Sequence, residues 1–378
     1  MRFFRCLLSL GVLAAALVLR AEEKMADGIY AEFTTPRGSF TVELDYRRAP
    51  LTVANFVGLA EGTIAPRNGK PYYTGLKWYR VVPGFVIQSG NPKAPEDGDP
   101  GYEFPDEFAP GLHHTTAGIL SMANGGPDTN GGEFFVTLGD CTRLNYLHSV
   151  FGHVVSGLEV LAKIQADDPF SIRIIRVGQA ALAFRADEAA FATLRAQAKP
   201  YAGPAEPGPE AFFDDPDQLI PVDPPRAKNF NYKLANFARF TGITIKARLF
   251  SKAPPAAEDA VPGAFMRALA TKLGTTHRGV AVAYFADEND WRVWFSDDLV
   301  PQLLGRPATA ADLGEGAAVH QAKEALFAEV EAVAKRYTEQ ARVLRGPDKP
   351  LQPADLVKYA TDALLDALIL RLEPAPAP

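Results

Sequence analysis

Three stretches in the first half of the chain decide its fold. They are Trp78–Asn91 (WYRVVPGFVIQSGN), Gly118–Thr137 (GILSMANGGPDTNGGEFFVT) and Leu144–Gly152 (LNYLHSVFG). Each contains an apolar run of strand length that is bounded by Gly, Asn or Pro, and such runs between turn residues indicate β-strands. Many short strands with few helices predict a closed or sandwiched β architecture.

The residues before these stretches add a hairpin and a helix. Apolar residues alternate in Ile29–Phe33 and in Phe40–Leu44, on either side of a turn at Pro36–Gly38. A period of two on both sides of a turn predicts a β-hairpin. Pro50 then begins a helical pattern that ends at Gly62, and proline at the start with glycine past the end is typical of helix boundaries.

The order and spacing of these motifs resemble the cyclophilin family of peptidyl-prolyl cis/trans isomerases. The resemblance covers residues 28–184 and includes Gly101–Phe108 and a closing strand at Ile172–Phe184. It implies an eight-stranded antiparallel β-barrel with two capping helices and a substrate groove on the outer face. It also implies an enzyme that acts on X–Pro bonds of proline-containing polypeptides.

The chemistry of X–Pro isomerisation determines which groups the active site must contain. Rotation about a peptide C–N bond meets a resonance barrier of ~20 kcal/mol, so uncatalysed X–Pro exchange is slow. No bond is broken, and we therefore expect neither a metal nor a cofactor. A donor aimed at the prolyl nitrogen interacts more strongly with the twisted amide than with the planar one, which accelerates rotation.

The resemblance assigns these roles to particular residues. Arg80, which stays protonated, is expected to be the donor, and Gln88 to brace it and contact the substrate carbonyl; these two are the predicted catalytic residues. The residues predicted to bind substrate are Phe85, Val86, Ala123, Asn124, Glu133, Phe135, Leu144 and His148. Taken singly, an arginine on a strand is typical of the surface and a phenylalanine of the core, but the joint pattern favours a site.

Three positions depart from the family pattern. Glu133 stands where many cyclophilins have glutamine, and we expect it to pair with Arg80 or to attract cationic peptides. Arg143 stands in place of a tryptophan that contacts cyclosporin in sensitive members. Val86 stands in place of a more usual methionine, which reduces the pocket side-chain volume slightly.

A helix and a proline-rich segment follow, over residues 185–228. Asp187 to Ala198 is predicted to be helical, and Pro200–Pro225 contains eight prolines. Proline at that density supports neither a helix nor a central strand, which predicts a linker. The alternative is an irregular arm packed on one domain, with Phe212-Phe213 and Leu219-Ile220 as its anchors.

Residues 229–373 alternate helix and strand patterns and predict a smaller α/β or α+β accessory domain. The predicted helices and strands are Tyr232–Phe240, Ile243–Phe250, Ala264–Leu273, Val280–Phe285, Trp291–Phe295, Ala318–Leu344 and Pro353–Leu372. The segment Leu234–Arg306 resembles TPM-type domains of secreted or membrane-associated proteins. The acidic turn Asp287–Asp290 lacks the spacing of a twelve-residue calcium loop, which favours a solvated hairpin turn.

The N-terminus predicts export. A basic leader precedes the uncharged, mostly apolar run Cys6–Leu19, whose length suits a secretory signal peptide over residues 1–21 better than a membrane-spanning helix. An uncleaved anchor is the alternative. After cleavage Cys141 is the only cysteine, which excludes an intramolecular disulfide. We therefore expect a periplasmic or secreted protein without a stable membrane span.

Charge and composition limit the classes of partner that the protein is expected to bind. The 378-residue chain has a net charge of −6 and no cluster of Lys and Arg, so nucleic acid is not expected as a partner. The histidines show no zinc spacing, and His113-His114 is interpreted as a structural or surface feature. Two functions remain: an isomerase that assists the folding of exported proteins, or a scaffold that binds proline motifs while the C-terminal domain has the main function.

Overall fold

The computed structural model describes residues 25–66, 69–91, 100–222, 226–313 and 316–376. The predicted signal peptide, residues 1–21, lies outside this part of the chain. Within it, no helix combines the length and the apolar character that crossing a membrane requires.

The first half of the chain forms one antiparallel sheet of eight strands. The strands are β1 (Gly28–Thr35), β2 (Gly38–Leu44), β3 (Arg80–Val82), β4 (Val86–Ser89), β5 (Ile119–Met122), β6 (Phe134–Thr137), β7 (Val150–Ser156) and β8 (Ser171–Val177). Their order in the sheet is β3-β4-β6-β5-β7-β2-β1-β8. β1 and β2 pair around the turn at Pro36–Gly38, which confirms the predicted hairpin.

The two edge strands of this sheet, β3 and β8, do not pair with each other, and contact is made by the residues that precede them. An isolated antiparallel bridge joins Lys77 to Pro169, and among the described residues no ladder joins β3 to β8. The expected barrel is therefore not closed by a continuous ladder. Pro169 has no backbone N–H to donate, and β3 is only three residues long, so little pairing is available at this seam.

An aromatic core fills the space behind the sheet. Phe33 stacks on Phe40 with 4.7 Å between ring centroids, and Phe134 packs edge-on against Trp78 at 5.8 Å. Helix α1 (Pro50–Glu61) adds Phe56 to the same core. It begins with proline and ends at Gly62, whose φ of 77° is the left-handed conformation that glycine adopts readily, as the sequence predicts.

The chain leaves this sheet earlier than expected. The predicted strand Ile172–Phe184 ends at Val177, because Gly178 has a φ of 86° and turns the chain into the short helix α3 (Gln179–Ala183). A short helix α2 (Leu158–Leu161) lies before β8. Helix α4 (Glu188–Gln197) is capped by the Asp187 carboxylate, which accepts the Ala190 N–H at 3.0 Å.

The second half contains a four-stranded sheet with helices on both faces. The strands are β9 (Phe213–Asp214), β10 (Thr244–Phe250), β11 (Gly279–Phe285) and β12 (Asp290–Phe295), in the order β12-β11-β10-β9. The helices are α5 (Arg226–Thr241), α6 (Ala264–Leu273), α7 (Val300–Leu304), α8 (Ala317–Arg345) and α9 (Pro353–Leu372). β10 pairs in parallel with β9 and β11, whereas β11 and β12 form the predicted antiparallel hairpin.

Alternate residues of β11 face two different cores. Val280 and Val282 pack in the core that α5, α8 and α9 share, and Ala281 and Ala283 pack against α6. Every residue of β11 is buried. A strand covered on both faces is a continuous apolar run, which is how Gly279–Phe285 reads in the sequence.

The proline-rich segment is an irregular arm packed on the accessory domain, which was the alternative to a linker. Its residue Phe213 is fully buried in the accessory core and pairs with Ala247 of β10. The buried Arg248 guanidinium donates to the backbone carbonyls of Pro209 and Ala211 at 2.7 and 2.9 Å. These charge-assisted hydrogen bonds satisfy two backbone acceptors of the arm and hold it against β10.

The two halves share a continuous apolar contact. Phe108 and Tyr146, from the loops of the first half, are buried in the accessory core. The Phe108 ring meets Phe240 edge-on at 5.3 Å, and the Tyr146 ring meets Phe237 at 5.2 Å. The accessory domain therefore lies directly against the loops that follow β4 and β6.

Candidate active site

Arg80 and Gln88 are directly opposite each other on the antiparallel pair β3 and β4. Arg80 Nη1 donates to Gln88 Oε1 at 2.7 Å. The Gln88 amide in turn donates to Tyr79 Oη at 2.7 Å and to Glu133 Oε1 at 3.2 Å. Opposed residues of a strand pair are close enough for such contacts, so the local pairing orients an exposed guanidinium.

Glu133 reaches Arg80 only through Gln88. A direct ion pair with Arg80 was one of the two expectations for Glu133. Glu133 instead accepts a hydrogen bond from the Gln88 amide, because Gln88 of β4 lies between β3 and the segment that leads into β6. Burial raises the pKa of the Glu133 carboxyl. Tyr79, the other acceptor of the Gln88 amide, was not predicted, and its place next to Arg80 in the sequence was the available signal.

A small apolar cluster lies beside the guanidinium. Val86, Ala123, Phe135 and Cys141 are buried in it, and the half-buried Phe85 and Leu144 pack against it. Phe135 is opposite Gln88 in the ladder between β4 and β6. The cluster is separate from the large core behind the sheet, and it has the apolar character that a proline ring needs.

His148 and His114 pack on the Phe135 ring. His148 meets it edge-on at 5.5 Å, and its Nδ1 lies 3.1 Å from the Met122 carbonyl oxygen. Burial lowers the pKa of His148 to about 4, so the ring is neutral at pH 7. His114 stacks on Phe135 at 5.7 Å, and its two ring nitrogens contact Asn145 and Ser121. Burial lowers the pKa of His114 to about 3, and its role is structural, as the sequence suggested.

The side chain of Asn124 is turned into its own loop. Its amide donates to the Leu147 carbonyl oxygen at 3.0 Å and to Asp106 Oδ1 at 3.2 Å. Asn130 Nδ2 also donates to Asp106 Oδ1, at 2.8 Å. The side chain therefore holds the loops together, and the backbone of Ala123 and Asn124 is what the segment offers to a ligand.

Helix α5 of the accessory domain forms hydrogen bonds to two loops of the site, the loop after β5 and the loop after β6. Asn236 Nδ2 donates to the Tyr146 carbonyl oxygen at 2.9 Å, and Arg239 Nη1 donates to Asp128 Oδ1 at 3.0 Å. Tyr146 and Asp128 have positive φ values of 59° and 61°. A left-handed conformation of a non-glycine residue persists where surrounding contacts determine it, and here α5 supplies those contacts.

The accessory domain also lines one side of the site. Arg80, Phe85, Leu144 and His148 border a cavity of about 410 Å³ whose other wall comes from α5, α8 and α9. The residues on that wall include Arg226, Asn229, Lys233, Leu344, Arg345, Lys358, Tyr359 and Asp362. None of them was predicted, because they come from three helices that begin more than 70 residues after the last motif of the site.

Comparison with known proteins places the first half in a family. The sequence profile described as "Cyclophilin type peptidyl-prolyl cis-trans isomerase/CLD" matches residues 30–179. Peptidyl-prolyl cis-trans isomerase A of Mycobacterium tuberculosis is 40% identical over 165 residues, which are 39% of this chain and 91% of the relative. The chain belongs to the cyclophilin-type peptidyl-prolyl cis/trans isomerase family. Its first half is an isomerase domain.

A second relative agrees with this membership. Peptidyl-prolyl cis-trans isomerase-like 1 of Aspergillus fumigatus is 43% identical over 135 residues, which are 35% of this chain and 79% of that protein. A crystal structure of a cyclophilin-type isomerase from Cryptosporidium parvum is 28% identical, with a TM-score of 0.34, and covers 40% of this chain and 99% of its own. The family match ends at residue 179, so the TPM-type resemblance of Leu234–Arg306 stays a prediction.

Proposed function

We propose that this cyclophilin isomerises X–Pro bonds of exported proteins, with Arg80 as the donor to the prolyl nitrogen. The observation that carries the proposal is the hydrogen-bonded chain from Arg80 through Gln88 to Tyr79 and Glu133, next to a small apolar cluster. The neutral Gln88 amide holds the guanidinium without cancelling its charge. The guanidinium therefore loses little conformational freedom when it donates to the pyramidal prolyl nitrogen of the twisted substrate.

The other predicted residues have supporting roles in this proposal. Phe85, Val86, Phe135 and Leu144 bind the proline ring, and burying such a ring contributes about 1.5–3 kcal/mol. His148 stays neutral and packs against Phe135, so it shapes the pocket and transfers no proton. The backbone of Ala123 and Asn124 holds the peptide beside the pocket, and Glu133 orients Gln88. No metal or cofactor takes part, because the reaction breaks no bond.

The test is catalysed exchange of a proline peptide, measured by NMR. Arg80→Ala should slow catalysis by about 100-fold or more, the usual effect of removing a transition-state donor. Arg80→Lys, which keeps the charge without the planar fork, should recover only part of the rate. Arg195→Ala, on the exposed face of α4, is the matched control and should behave as the wild type.

The same assay distinguishes the isomerase from the alternative function, a scaffold. A scaffold that only binds proline motifs would exchange the peptide no faster than buffer does, although it would still show chemical-shift changes on binding. Wild-type exchange at the uncatalysed rate would therefore overturn the isomerase proposal in favour of the scaffold.

The export part of the proposal rests on the leader sequence alone. Cleavage after Ala21 would leave a mature chain that begins at Glu22. N-terminal sequencing of the protein recovered from a periplasmic or secreted fraction should read Glu-Glu-Lys-Met. A cytoplasmic protein that retains Met1 would contradict export.

A further inference from the structure

The cavity between the isomerase groove and the accessory domain is lined by an excess of cationic side chains. Six of them border the same space of about 410 Å³: Arg80, Arg143, Arg226, Lys233, Arg345 and Lys358. Asp362 is the single carboxylate among the described residues that line it. The six come from β3, from the turn at Thr142–Leu144 and from α5, α8 and α9, so only the folded chain brings them together.

Three of the six have carboxylate partners within the accessory domain. Lys233 Nζ lies 2.5 Å from Asp366 Oδ1, and Arg345 Nη2 lies 2.6 Å from Asp355 Oδ1. Lys358 pairs with Asp362. In each pair the two charges neutralise each other, so these carboxylates are already paired.

The other three guanidinium groups have no carboxylate partner among the residues that the structure describes. Arg80 donates to the neutral Gln88, and Arg143 lies over the Phe85 ring with 5.0 Å from its Cζ to the ring centroid. Arg226 begins α5, whose N-terminus adds partial positive charge. The pKa of Lys358 is lowered, first by burial, and the charges of Arg226 and Arg143 act in the same direction.

The opposite end of the groove has the other sign. Glu103 and Glu133 border a depression there together with Ala123 and Asn124. The apolar cluster borders the cationic cavity through Phe85 and Leu144 and the acidic depression through Ala123, so the groove has a cationic end and an acidic end. A charged cleft of this kind raises the local concentration of a ligand of opposite charge.

We propose that the cationic end binds an acidic side chain of the client polypeptide, close to the proline that enters the pocket. This inference rests on the proposed function and names its substrate class: X–Pro segments with a neighbouring Asp or Glu. Arg143 and Arg226 hold the carboxylate, one from the isomerase domain and one from the accessory domain. The accessory domain is then part of the substrate site, and it selects clients by charge.

The experiment compares matched peptides that differ in one group. Each peptide contains Ala-Pro with either Glu or Gln placed one, two or three residues before or after the proline, and NMR exchange gives kcat/KM on the full-length protein. We expect the kcat/KM of the Glu peptide to exceed that of its Gln isostere by about two- to fivefold at the best position, as one partly screened ion pair contributes. Raising the salt to 1 M should reduce this ratio towards one.

Substitutions in α5 test the assignment to the accessory domain. Arg226→Gln should lower the Glu-to-Gln ratio at least twofold, and Arg226→Glu should invert it and favour a Lys peptide. Arg195→Gln makes the same charge change on the exposed surface of α4, away from the cavity, and should leave the ratio as in the wild type. Circular dichroism and thermal unfolding verify that each variant is folded.

The possible outcomes separate this inference from the proposed function. Equal acceleration of Glu and Gln peptides at low salt overturns the anion site and leaves the isomerase in place. A Glu preference that Arg226→Gln leaves intact overturns the role of the accessory domain. If no peptide is accelerated, the isomerase function fails, and binding affinities of the same peptides decide the inference: tighter Glu binding that Arg226→Gln weakens supports it, and equal binding overturns it.

Discussion

Arg239 of α5 forms a largely buried ion pair with Asp128, in the loop after β5, with 3.0 Å between Nη1 and Oδ1. The same guanidinium donates to Asn236 and to the backbone carbonyl of Lys199. The pair joins the accessory domain to the loop that contains Asn124. The position of that loop in the isomerase domain therefore depends on a residue that lies about 60 positions beyond the family match.

Arg239→Met should destabilise the protein by about 3–5 kcal/mol, because it leaves the Asp128 carboxylate buried without its cation. Chemical denaturation measures the loss. Asp128→Asn, which retains tolerance for the left-handed conformation, completes a double-mutant cycle, and the double variant should lose less than the sum of the two single losses. Additive losses would show that the two residues do not interact energetically.

Asp106 should make the protein more stable as the pH falls from 7 to 5. Burial raises its pKa to about 6, against hydrogen bonds from Asp128 and Asn130 and the charge of Arg239, which lower it. The unfolded pKa is about 3.9, so between the two values the folded state holds a proton that the unfolded state has released. Stability therefore rises as the pH is lowered through this window, by at most about 3 kcal/mol.

Unfolding free energies at pH 7, 6 and 5 measure this slope. Asp366, whose pKa burial raises in the same direction, adds to the wild-type slope. His114 and His148, whose pKa values burial lowers, oppose it, so the effect of Asp106 is the difference between wild type and Asp106→Asn. Carboxyls with lowered pKa values, such as that of Asp355 next to Arg345, act in the opposite sense, below about pH 4. Identical slopes in the two proteins would contradict the assignment to Asp106.

Glu133→Gln should retain most catalysis and change the preference among charged peptides. The new amide oxygen still accepts from Gln88, whereas the negative charge at this end of the groove is lost. Peptides with Lys near the proline should lose about two- to fivefold in kcat/KM relative to Gln peptides, the range of a partly exposed charge pair. Because burial raises the pKa of Glu133, the wild-type Lys preference should also weaken at acidic pH. An unchanged profile over the peptide panel would exclude this role.

Phe213→Ala should release the proline-rich arm. This ring is fully buried against Phe230 of α5, with 5.1 Å between centroids, and truncating a core phenylalanine typically costs about 3–5 kcal/mol. Limited proteolysis should then cleave within residues 201–222 faster than in the wild type. Phe212→Ala, at the half-buried neighbour, is the matched control and should have a smaller effect. Equal cleavage of wild type and Phe213→Ala would contradict a packed arm.

The sequence by itself determined the local structure of both halves. The α1 boundaries at Pro50 and Gly62, the two hairpins and the α6 span Ala264–Leu273 follow from periodicity and from turn residues, which act over a few positions. The site motifs around Arg80, Phe135 and His148 were also readable, because their spacing is specific. Where the prediction failed, at the strand after Val177, the backbone conformation of Gly178 decided the outcome.

Only the tertiary structure decided what surrounds the isomerase groove. Arg143 and Arg226 are 83 positions apart in the sequence and line one cavity because α5 packs against the loops of the isomerase domain. The proline-rich arm likewise joins a sheet through β10, a strand that follows it by about 30 residues. Such contacts depend on which apolar faces bury each other over long sequence separations, and no local pattern of residues states that choice.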